Sequence, residues 1–157
     1  SAFTFSLFFG INALAIGVAA ALSVKFRRSE SSTLAGCCGM VMASVLQCFA
    51  LMSDCSFWVY EALMLVLLFS MGMTFTSSTA LAMESQRENS GTASALLGAF
   101  CFAAGGMVSP LVGLGNILSS TGVVFLVCSC CSLLCMLVAL GRRGTRLYFA
   151  FSAVRRH

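Results

Sequence analysis

The chain has 157 residues, of which 59% are hydrophobic and only 9% charged, with a net charge of +4. A soluble domain is roughly 25% charged, and one of this size could not hide so much apolar surface. Disordered chains are polar and charge-rich, so the composition leaves an integral membrane protein.

Charge-free runs mark the membrane crossings, because a helix needs about 20 mostly apolar residues to cross a core of about 30 Å. Residues 1–24, 31–53, 62–83 and 89–141 carry no charge. The last run is too long for one crossing and breaks at Gly113, Gly115, Asn116, Ser119, Ser120 and Gly122. The expected spans are therefore 3–24, 33–53, 57–83, 91–114 and 121–141, followed by a basic tail over 142–157. None of these runs alternates in polarity as a membrane β-strand does, so the fold class is an all-α membrane protein with five transmembrane helices.

The first span places Gly10, Ala13, Gly17 and Ala21 on one stripe, where small residues admit a second helix. Asn12 points about 200° from Gly10, and an amide at that depth serves either an interhelical hydrogen bond or a cavity. The second span aligns Gly36, Gly39, Ala43, Gln47 and Ala50, a close-packing stripe with Gln47 as polar glue. In the third span Ser70, Thr74 and Ser77 stack on one face, either lining a water-accessible path with Met73 as an apolar wall or bonding back to their own helix. Glu61 lies close to the end of that span, where a carboxylate snorkels to water. Trp58 and Tyr60 belong to an interfacial aromatic belt.

The fourth span is rich in small residues, among them Gly91, Gly98, Gly105 and Gly106, and carries Pro110, which removes a backbone donor. The fifth span holds Cys128, Cys130, Cys131 and Cys135. Adjacent cysteines on a helix diverge by about 100° and no His accompanies them, so they read as small apolar filler rather than a metal site. No cofactor motif, catalytic cluster or nucleic-acid signature is present. The chain is not expected to be an enzyme.

All nine Lys and Arg fall on one side of a five-span layout: Lys25, Arg27 and Arg28 in one connection, Arg87 in another, and five arginines from Arg142 onward. Basic residues concentrate on the cytoplasmic side. The expected orientation has the N-terminal edge outside and the C-terminus in the cytoplasm.

Residues 80–115 carry a resemblance. Ala82-Met83-Glu84, then Ser90-Gly91-Thr92-Ala93-Ser94-Ala95-Leu96-Leu97-Gly98, then Ser109, are similar to spans ten and eleven of major facilitator transporters, in particular the Bcr/CflA-type drug:proton antiporters. Asn12-Ala13-Leu14 with Gly17, followed by Lys25-Phe26-Arg27-Arg28, resembles the eighth span and its basic loop. One departure is Thr76-Ser77, where that family's pattern has Pro-Asn after Phe75. The resemblance implies the C-terminal part of a transporter helix bundle, spans eight to twelve, whose partner is an N-terminal half of the same transporter. It also implies a bacterial inner-membrane location and alternating access about a midplane site, exporting small drug-like molecules against protons. Asn12, Ser70, Met73, Thr74 and Ser77 are then the cavity candidates. Arg27, Arg28, Glu84, Arg87 and Gly91 form a cytoplasmic latch, and Gly17, Gly98, Gly105, Gly106 and Pro110 are helix-packing positions. The alternative is a complete five-span protein that packs on a partner through its glycine stripes.

Overall fold

The computed structural model describes residues 2–25, 29–53, 56–84, 86, 88–113 and 117–154. Within them the backbone forms five helices: α1 (Ala2–Ser23), α2 (Ser29–Met52), α3 (Phe57–Glu84), α4 (Ser90–Val112) and α5 (Ile117–Val154). Each is long and apolar enough to cross a membrane, and no strand occurs among the described residues. Helices are the outcome hydrocarbon demands, since each satisfies its backbone N–H and C=O groups within itself. The chain is thus a multi-pass, all-helical membrane protein. The fifth crossing is confined to Ser120–Arg142, yet α5 runs on to Val154, so the residues expected as a tail begin as a continuation of the same helix.

Helix α3 is the centre, with α1 on one side and α2 on another, and α5 packs on the far side of α2. Helix α4 only grazes α5 and α3 and buries no residue. The core is inverted relative to a soluble protein. Its fully enclosed side chains include Ser32, Ser44, Gln47 and Ser129, whereas Phe3, Phe5, Phe9, Phe49 and Phe102 face outward. Lipid is as apolar as Leu, so membrane helices gain by close backbone approach and polar contacts rather than by hiding large apolar groups.

The α2–α3 seam follows this rule. A Cβ at Gly36 would collide with Thr74 Oγ1 and lie 3.0 Å from the Ser70 carbonyl oxygen, and one at Gly39 would lie 2.5 Å from Ser70 Oγ. Gly36, Gly39, Ala43, Gln47 and Ala50 do form the contact stripe of α2. The α1–α3 seam is as tight, because a Cβ at Gly72 would meet the Ile16 carbonyl oxygen at 2.6 Å and the Ala19 Cβ at 3.1 Å. Toward the N-terminal end of that seam Phe8 packs edge-on against Phe57 (5.4 Å between centroids) and Trp58 (6.0 Å). Between α2 and α5, Ser44 Oγ and Ser129 Oγ share a hydrogen bond of 3.0 Å, and Cys37 Sγ lies 3.4 Å from Ser132 Oγ.

Candidate functional site

Ser70, Thr74 and Ser77 are all buried on the side of α3 that meets α2. Ser70 Oγ donates to the Val66 carbonyl (2.9 Å) and Thr74 Oγ1 to the Ser70 carbonyl (2.9 Å), each one turn back. Ser77 Oγ instead crosses the seam and donates to Ser32 Oγ at 2.8 Å. The helical alternation that aligns the three hydroxyls is therefore satisfied by a neighbouring helix, with two of them returned to their own backbone. Met73, which by helical spacing flanks this stripe on α3, is half-buried.

Asn12 is half-buried on the α1 face that also carries Ala19 and Ser23, both buried against the bundle. Its Oδ1 is enclosed and has no hydrogen-bond partner among the described residues. Gln47 Oε1 and Glu61 Oε1 share that condition. Gln47 is almost wholly buried, and its Nε2 reaches only Met64 Sδ at 3.7 Å. Glu61 was expected to snorkel to water, but one of its oxygens is shut inside the bundle.

The stripe Gly10, Ala13, Gly17 and Ala21 faces outward, because α1 turns its opposite, Asn12-bearing face to α3. No atom lies within 4 Å of where a Cβ would sit at Gly17, Gly98, Gly105 or Gly106. Pro110 is exposed in the last turn of α4 and ends that helix rather than bending its middle, with Gly113 N–H donating to its carbonyl at 3.1 Å. A close-packing role for those four glycines therefore needs a surface beyond this bundle. Of the latch residues, Glu84 closes α3 and Gly91 lies in the first turn of α4, both exposed. Arg27, Arg28 and Arg87 lie outside the described residues.

A groove between α3 and α4 was not evident from the sequence. Its deeper part, about 370 Å³, is lined by Phe75, Thr79, Ser94, Leu97, Gly98 and Phe102 among others. Its second part, about 570 Å³, shares Leu97 and continues past Met83 to Gln86, Asn89 and Thr92. Phe75, Thr79 and Met83 recur at every fourth position, a period legible in the chain. That α4 stands off from them is a tertiary fact with no local signal. The bonds from Ser44 to Ser129 and from Ser32 to Ser77 were missed for the same reason, since each needs a partner helix to be known.

An uncharacterised MFS-type transporter of Bacillus subtilis, YdgK, is 32% identical to this chain over 116 residues. The alignment takes in 71% of this chain and 29% of YdgK, so the chain spans less than a third of that relative's length. No protein-family model matches the chain. No solved structure matches it. The likeness to an MFS-type transporter, together with five candidate spans, supports a transporter relationship.

Proposed function

We propose that this chain is part of a secondary active transporter of the major facilitator superfamily, related to the Bcr/CflA-type drug:proton antiporters, and that its five helices correspond to spans eight to twelve. The observation that carries the reading is the 116-residue likeness to YdgK, which runs through most of a chain made almost entirely of membrane helices. The basic residues then set the N-terminal edge outside and the C-terminus in the cytoplasm of a bacterial inner membrane. In this reading a second helical half rocks against these helices about a midplane site. Small drug-like molecules are exported as protons enter.

Asn12 is the cavity candidate best suited to meet substrate, since its Oδ1 is enclosed without a partner among the described residues, and Met73 is the apolar wall. Ser70, Thr74 and Ser77 shape the α3 wall behind them. Glu84, Arg87 and Gly91, with Arg27 and Arg28, form the cytoplasmic latch. The test is proton-gradient-driven movement of a lipophilic fluorescent dye in liposomes holding the transporter that contains this chain. Dye movement that collapses with the gradient and falls about tenfold in Asn12→Ala supports the reading, a tenfold change being 1.4 kcal/mol. Movement indifferent to the gradient removes proton coupling, and no movement for a panel of such dyes removes the export reading.

A further inference from the structure

The α3–α4 groove lies on the side of α3 turned away from α2, opposite the serine stripe. Along α4 it runs from Thr92 to Phe102, which at about 1.5 Å per residue is about 15 Å. That is close to half of a hydrocarbon core of about 30 Å, the depth of one leaflet. The groove is apolar toward the membrane centre, where Phe75 and the outward-facing Phe102 flank Leu97 and Gly98. It turns polar at the α3–α4 connection, where Gln86, Asn89 and Thr92 enter the lining. The Asn89 side chain makes no capping bond to α4 although it precedes the helix.

We propose that this groove is a binding site for a phospholipid of the leaflet on the side of the α3–α4 connection. One acyl chain lies along Thr79, Leu97 and Gly98 toward Phe75 and Phe102, and the ester and phosphate oxygens accept hydrogen bonds from Gln86, Asn89 and Thr92. Apolar contact alone would not favour a bound lipid over a bulk one, because the groove and the surrounding tails are equally apolar. The hydrogen-bonding end supplies the difference, and the one-leaflet depth places headgroup and chain in register with it. The two volumes, about 370 and 570 Å³, fall within the size range of ligand sites. The site does not depend on the transporter reading.

The test uses the full-length protein that contains this chain, purified and reconstituted in vesicles of phosphatidylethanolamine and phosphatidylglycerol doped with a phosphatidylethanolamine that carries a photoactivatable group in mid-chain. Cross-links are expected to concentrate on α3 and α4 around Thr79, Leu97 and Cys101. Gly98→Leu fills the groove, and the open space at Gly98 lets the variant fold. Labelling there should fall about tenfold. Ser94→Leu repeats the block from the next turn, and Asn89→Ala should weaken labelling without filling the channel. Cross-links spread evenly over all lipid-facing helices would mark annular lipid only and overturn the site. So would an unlabelled groove, or one that cross-links through Cys101 to another protein helix. A failure of transport leaves all of these readings unchanged.

Discussion

Helices α2 and α4 have similar raw material and opposite fates. Both are rich in Gly, Ala and Ser. In α2 those residues are enclosed: Gly36 sits against Thr74, Ser44 against Ser129, and Ser32 against Ser77. In α4 the glycines at 98, 105 and 106 look into open space and no residue is buried. A small-residue stripe thus marks a face that can be approached closely, and the position of the neighbouring helices decides whether it is. α2 lies between two helices, α3 and α5, whereas α4 lies at the margin and presents the same chemistry to the outside.

Substitutions can break this contrast, and the largest effect is expected at Gly36. Gly36→Leu should separate α2 from α3, and even Gly36→Ala should cost about 1–3 kcal/mol, the usual range for overpacking. Reversible unfolding in mixed micelles, followed by circular dichroism, measures it. Gly72→Ala comes next at about 1–2 kcal/mol, because a Cβ there would lie 2.6 Å from the backbone oxygen of Ile16, a less severe approach than at Gly36, where Thr74 Oγ1 is nearer still and two α3 backbone atoms stand at 3.0 Å. The same unfolding assay should show the Phe8–Trp58 contact loosening as a change in Trp58 emission, Trp58 being the chain's single tryptophan.

A smaller effect is expected at the hydroxyl contact between Ser32 and Ser77. A double-mutant cycle with alanine at both positions should give a coupling of about 0.6 kcal/mol, the average for interhelical polar pairs in membranes. The smallest belongs to α4: Gly105→Ala and Gly106→Ala should each change the stability of this chain by less than about 0.5 kcal/mol. Repeating the α4 substitutions in the transporter that contains this chain sharpens the comparison. A cost there of about 1–3 kcal/mol would show that α4 is a seam like α2 whose partner lies elsewhere.

Much of the fold was legible because hydrocarbon leaves few options. The breaks in charge marked five apolar segments, and the structure has five helices long and apolar enough to cross a membrane, with α5 running on to Val154. The α2 stripe was legible too, since Gly36, Gly39, Ala43 and Gln47 share one face by spacing alone. The site was less so. The spacing of Ser70, Thr74 and Ser77 says that they share a face, but not whether that face meets water, substrate or a second helix. In α1 two faces competed, a glycine stripe and an asparagine face. The structure puts the asparagine face inward, because Gly72 on α3 offers a notch for Ile16 and Ala19.

The amino-acid sequence by itself determined that this is a polytopic helical membrane protein with five segments long and apolar enough to cross. Those properties depend on local apolarity over about 20 residues and on backbone groups that must pair within one helix. Only the tertiary structure decided which small residues are seams, which hydroxyls are spent on neighbours, and that a groove one leaflet deep opens between α3 and α4. Those depend on how helices distant in the chain meet. In a membrane that meeting is selected by close fit and a few polar contacts rather than by an apolar pattern written along each helix.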